Sequence, residues 1–156
     1  MLRRSRGSSL SPSFATFAAL MPAPRIGVAS VSASARKGDL HVTKECSKYE
    51  FTAGSSCTTT SSNLSEILVG SKIFYDQPAN IPTGLLDSNV VLDAGDGDRA
   101  VGRCTLDVST FLGLCTFSDG TGRFSGFQAR VEVSYLGTDW DFAWDGTYSF
   151  TSRADR

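Results

Sequence analysis

The sequence predicts an all-β chain: one antiparallel, up-and-down β-barrel of about eight strands, with almost no helix. Three observations carry this expectation. From Asn63 onward the chain repeats one unit, an alternating or apolar run followed by a Gly/Asp/Asn/Pro cluster, which is the signature of a β-meander. Fifteen Gly, ten Phe and only two Met suit short strands and tight turns better than packed helices. No useful length of chain shows a 3.6-residue apolar period; the best helical candidate, Ser62 to Ile67, is barely two turns.

Taken in order, Ile67 to Tyr75 reads as a strand, closed by Asp76-Gln77-Pro78 and the loop to Thr83-Gly84. Leu86 to Asp93 follows, and Ala94-Gly95-Asp96-Gly97-Asp98 turns the chain back into Ala100 to Val108. A short strand, Leu114 to Ser118, ends at Asp119-Gly120-Thr121-Gly122. In the next run, Phe127, Ala129, Val131, Val133 and Tyr135 share one face, with Gln128, Arg130 and Glu132 on the other. The last run places Trp140, Phe142, Trp144, Gly146, Tyr148 and Phe150 together. Upstream, Leu40 to Thr52 and Cys57 to Ser61 add one or two strands, enough to close a barrel whose interior is filled or holds one small ligand.

The domain is expected over residues 38–152, behind a leader at 1–37. Before the first acidic residue, Asp39, stand Arg3, Arg4, Arg6, Arg25, Arg36 and Lys37 among many Ser and Ala, which reads as an address. A secretory signal would use Arg3-Arg4-Ser5-Arg6 as its basic region, Phe14 to Met21 as its apolar core and Ala33-Ser34-Ala35 as a cleavage site; Pro22, Pro24 and Arg25 interrupt it. An organelle transit peptide fits the spread of Arg and Ser equally. We favour the secretory or periplasmic address, with a plastid-like organelle as the alternative.

Four cysteines fall as two equally spaced pairs, Cys46 with Cys57 and Cys104 with Cys115, which in an exported chain suggests two local disulfides. If Arg99 to Ser118 is a hairpin turning at Ser109-Thr110, Cys104 and Cys115 lie opposite each other. The alternative is that they are small apolar core residues.

A net charge of −1 with 20% charged residues gives no footprint for nucleic acid. No run approaches the roughly 20 apolar residues of a membrane span. Asp93, Asp96 and Asp98 are read as turn chemistry and not a calcium loop, and the lone His41 with no CxxC pair gives no zinc set, so no metal or cofactor is expected. Asn63-Leu64-Ser65 is a glycosylation sequon, read as a chance occurrence.

The candidate ligand-lining residues are aromatic: Tyr75, Tyr135, Trp144 and Tyr148, with Trp140 beside them. As polar or catalytic candidates, Asn89 and Asp93 share a strand face toward a barrel mouth, and Glu45 sits on an early strand. Arg103 reads as solvated, opposite a core face of Gly102, Cys104, Leu106 and Val108.

The stretch Cys115-Thr116-Phe117-Ser118-Asp119-Gly120-Thr121-Gly122-Arg123-Phe124-Ser125-Gly126-Phe127 resembles the hairpin of plant allene oxide cyclases and dirigent proteins, an apolar strand leading into a Gly-rich turn. Gly120 and Gly122 supply positive φ there, and Phe124 covers the barrel end. With Val69 to Tyr75, Asn89 to Asp93 and Val101-Gly102-Arg103 in matching order, the likeness spans about Ile67 to Tyr135, with Trp144 to Phe150 as a closing strand. It looks closest to bacterial proteins with an allene oxide cyclase barrel-like domain.

The resemblance implies a barrel that cyclises an unsaturated epoxide using a carboxylate, a cavity cysteine and a held water. Here the strand matching that cysteine reads Val90-Val91-Leu92, so the cysteine is absent, and Glu45 aligns too loosely to inherit the carboxylate's role. Two functions follow as expectations. One is a cyclase or isomerase moulding a small unsaturated lipid-like or polyketide-like substrate by shape. The other is a non-catalytic exported barrel that binds an apolar ligand or a protein partner. The plant relatives also suggest a homo-oligomer.

Overall fold

A computed structural model describes residues 35–152; the leader expectation lies outside the described residues, apart from its last three positions. Eight strands, β1 (Arg36–Glu45), β2 (Ser56–Ser62), β3 (Lys72–Tyr75), β4 (Leu85–Asp93), β5 (Arg99–Asp107), β6 (Leu112–Thr121), β7 (Phe127–Tyr135) and β8 (Asp141–Phe150), run as an antiparallel meander. The meander closes because β8 pairs with β1 along its whole length, from Arg36 opposite Phe150 to Glu45 opposite Asp141. Among the described residues the only helical element is one 3₁₀ turn, Gly122–Phe124.

Alternation fixes which side chains enter the barrel. Leu40, Val42 and Lys44 of β1 point inward, as do Leu86, Ser88, Val90 and Leu92 of β4 and Phe127, Ala129, Val131 and Val133 of β7. Two ladders slip by one residue: Thr60 is extra on β2 beside Thr43/Lys44, and Ser118 is extra on β6 beside Val101/Gly102. Such bulges bend a strand and sharpen its twist, as closure of a small barrel requires. Strands also crowd at Gly146, where a Cβ would lie 2.0 Å from the Arg130 carbonyl oxygen, so any side chain there would part β7 from β8.

One end of the barrel is packed solid. Phe117, Phe124, Phe127, Trp144 and Phe150 interlock there, with ring centroids 5.4 Å apart for Phe124–Phe127 and Phe117–Trp144 and 5.2 Å for Phe127–Phe150. These contacts remove area from water, with Phe124 edge-on to Phe127 and the other pairs tilted. Arg36, paired with Glu66, lies over the Phe150 ring. Asp98 accepts from the Arg123 backbone N–H at 2.9 Å and from its guanidinium Nε at 2.6 Å, tying the β4–β5 turn to the β6–β7 connection. These two bonds hold the Asp98 carboxyl below its ordinary range.

The structure corrects several sequence expectations. β1 begins at Arg36, two residues before the expected domain start, because Arg36 and Lys37 pair with Phe150 and Ser149. Ile67 to Gly70 is not strand. Ile67 and Leu64 are buried in the β2–β3 loop, and Gly70, at φ +90°, reverses the chain into a four-residue β3. The strand expected over Leu114 to Ser118 extends to Leu112–Thr121, lengthened by the bulge at Ser118. Gly122 does take positive φ, at +58°, but Gly120 does not; Gly120 is required because a Cβ would meet the Arg99 carbonyl oxygen at 2.4 Å and Phe124 at 2.5 Å.

Candidate functional site

The opposite end of the barrel is hollow. A cavity opens among the ends of all eight strands, with about 560 Å³ of empty space once the open mouth is counted.

Lys44 sits inside this cavity. The inward phase of β1 carries its side chain into the barrel, where the residue is only 3% exposed. Its Nζ donates to the Tyr75 hydroxyl at 2.5 Å and lies 4.3 Å from the Trp144 ring centroid, with the Tyr75 and Phe142 rings at 5.3 and 6.0 Å. Among the described residues, no carboxylate lines the cavity. Burial without a counter-charge therefore lowers the Lys44 amine from its ordinary 10.5 to about 7. Burial likewise pushes the Tyr75 phenol up, with a smaller contribution from Tyr49. The Tyr49 phenol is also raised by burial. Tyr49 stands edge-on to Tyr75 at 5.4 Å, and its hydroxyl is shielded from solvent without a hydrogen-bond partner among the described residues. The cavity thus presents one amine and two phenols within otherwise apolar walls.

Three aromatic residues at the mouth have left-handed backbone: Phe51 at φ +59°, Phe111 at +55° and Trp140 at +62°. Bulky residues seldom adopt this region, which costs of order 1–2 kcal/mol each. The rings hold one another, with Trp140 edge-on to Phe51 at 6.2 Å and to Phe111 at 5.9 Å. Strain gathered at one cavity rim is a mark of a functional site.

Both cysteine pairs are disulfides, Cys46–Cys57 and Cys104–Cys115, and both line the cavity. Cys104 lies directly opposite Cys115 in the β5–β6 register, as the hairpin reading requires. Cys46–Cys57 continues the β1–β2 register by one step beyond Glu45 opposite Thr58. This settles the open alternative in favour of bridges.

Among the aromatic candidates, Tyr75 and Trp140 line the cavity and Trp144 lies under the Lys44 amine. Tyr135 stands at the rim against Phe111 and Phe142, 38% exposed. Tyr148 is at the other end, stacked on Gly38 and beside Phe150. The polar candidates face outward. The Glu45 carboxylate accepts from the Ser47 backbone N–H at 2.6 Å, and these Ser47 contacts lower it from its ordinary value. Asn89 donates to Asp76 at 2.9 Å, and Asp93 pairs with Arg99 at 2.9 Å. Since β4 turns Ser88, Val90 and Leu92 inward, Asn89 and Asp93 do not reach the mouth. Arg103 is on the outer face, bonded through two nitrogens to Asp87.

Lys44 is the residue that the sequence reading missed. Its signal was the period-2 phase of Leu40, Val42, Lys44 and Cys46, with His41, Thr43 and Glu45 on the other face. Comparison of the chain with family models, with curated proteins and with solved structures finds no match.

Proposed function

We propose that the barrel binds a small, mostly apolar molecule carrying a single oxygen head group, held between Lys44 and the Tyr75 hydroxyl. The observation that carries this reading is a buried amine with one hydrogen bond and no carboxylate partner among the described residues, set in the wall of a mostly apolar cavity. Enclosure strengthens each polar contact made inside such a site. The two disulfides, together with the absence among the described residues of any helix long and apolar enough to cross a membrane, support an exported binding domain.

Both tryptophans of the chain, Trp140 and Trp144, flank the site, so their fluorescence is a direct probe. Titration with benzyl alcohol or benzoate gives a saturable change. Lys44→Met weakens benzoate by roughly tenfold, the loss of one charge-assisted hydrogen bond. No saturable change with either molecule would overturn the reading.

A cyclase or isomerase is the second reading. It is supported by the resemblance of the Cys115 to Phe127 hairpin and by the phenol and amine in the cavity, which can hold and move a proton at a reacting oxygen. Turnover of a short unsaturated epoxide, lost in Tyr75→Phe, would favour the cyclase.

A further inference from the structure

We infer that Lys44 captures small apolar aldehydes as a reversible imine, using Tyr75 to carry protons. This rests on the binding reading above and adds covalent chemistry to it.

Imine formation needs a nitrogen with a free lone pair, room for a carbonyl carbon beside it, a proton path between nitrogen and oxygen, and limited water. Lys44 Nζ has one hydrogen-bond partner and no carboxylate among the cavity walls to hold it as an ammonium ion. Burial favours its neutral form, and an amine titrating near 7 is about half neutral at neutral pH, where an ordinary lysine is almost wholly charged. Lys44 and its partner Tyr75 are both among the residues that line the cavity. Among the described residues, the only other titratable groups lining it are the phenols of Tyr49 and Tyr75, the cysteines being bridged.

The chemistry balances without an oxidant or a metal. The Lys44 lone pair forms a C–N bond to the aldehyde carbon as the C=O π bond breaks toward oxygen. A proton on the new ammonium passes to the Tyr75 oxygen, and the Tyr75 hydroxyl proton passes to the alkoxide, giving a neutral carbinolamine. The remaining N–H proton follows the same route to the hydroxyl, the C–O bond breaks, water leaves and C=N forms. The 2.5 Å contact between Lys44 Nζ and Tyr75 Oη is the first link of that relay. Three other lysines, Lys37, Lys48 and Lys72, all exposed, serve as internal controls.

The test treats the full chain with benzaldehyde and sodium cyanoborohydride at neutral pH, then locates the benzyl group by peptide mass mapping. The proposal expects Lys44 to be labelled faster than any exposed lysine by at least about tenfold, and Tyr75→Phe to slow that labelling by about the same factor. Lys44→Arg removes the label. Wild-type labelling alone decides the matter if that variant fails to fold. Labels confined to Lys37, Lys48 and Lys72 would overturn the proposal. Benzyl alcohol, measured on the same sample, separates the two readings: if it binds while Lys44 stays unlabelled, covalent capture fails and the binding site stands; if neither occurs, both fail.

Discussion

The Lys44 amine donates to the Tyr75 hydroxyl at 2.5 Å across the barrel interior, joining β1 to the end of β3 in a space with no counter-charge. A lysine folded in this way is a cost to the barrel, and the sign of that cost can be worked out. The unfolded chain holds the Lys44 proton up to about pH 10.5, while the folded chain releases it near pH 7. Between these values the unfolded state binds more protons, so folding stability rises with pH across that window, and below pH 7 the whole penalty is present.

That penalty is on the order of 5 kcal/mol. Lys44→Met removes it but leaves the buried Tyr75 hydroxyl without its partner, which costs about 1–3 kcal/mol. The variant is therefore more stable than the native chain by about 2–4 kcal/mol at about pH 6, and the advantage shrinks and reverses near pH 10. Urea unfolding of both proteins across this range checks the prediction.

Tyr75→Phe takes away the only hydrogen-bond partner of the Lys44 amine. The expected cost is about 1–3 kcal/mol below pH 7, where the amine is charged, and less above it. Combining this change with Lys44→Met in a double-mutant cycle yields a coupling energy in that range.

Phe111 occupies a left-handed position in the β5–β6 hairpin, where the Asp107 carboxylate accepts from the backbone N–H groups of Ser109 and Thr110. Phe111→Gly relieves about 1 kcal/mol of backbone strain and loses about 1–2 kcal/mol of ring burial. Stability thus stays within about 1 kcal/mol by thermal unfolding, while the mouth widens and larger aromatic alcohols enter.

Each disulfide closes a short loop, with an 11-residue separation in both cases. Replacing Cys104 and Cys115 together by Ala costs about 3 kcal/mol. It also loosens the β5–β6 wall of the cavity, so binding of the fluorescent probe falls along with stability; a melting curve and a titration on the same sample measure both.

The barrel was legible in the sequence because its information is local. Alternation in Phe127 to Tyr135 names an inner face by itself, and the equal spacing of Cys104 and Cys115 about one turn gives their register. The site was less legible. Lys44 reads as a solvated residue until the phase of Leu40 and Val42 is extended through it, and a single lysine weakens that phase. Its partner Tyr75 lies 31 positions away, and only closure of β8 on β1 brings Trp144 beneath it. The rim residues Phe51, Phe111 and Trp140 are in loops, where no period exists, and their left-handed backbone is one that bulky side chains do not favour. Glu45, Asn89 and Asp93 attracted attention as acids and amides, yet strand phase turns all three outward.

The central claim is that Lys44 holds its amine inside an apolar cavity, and its titration by carbon NMR at the ε-methylene tests this most directly. The chain has four lysines, and the Lys44 signal is the one that disappears in Lys44→Met. The account predicts a midpoint near pH 7 for that signal, moving upward when benzoate fills the cavity. A midpoint at the ordinary lysine value of about 10.4, unchanged by benzoate, would contradict it.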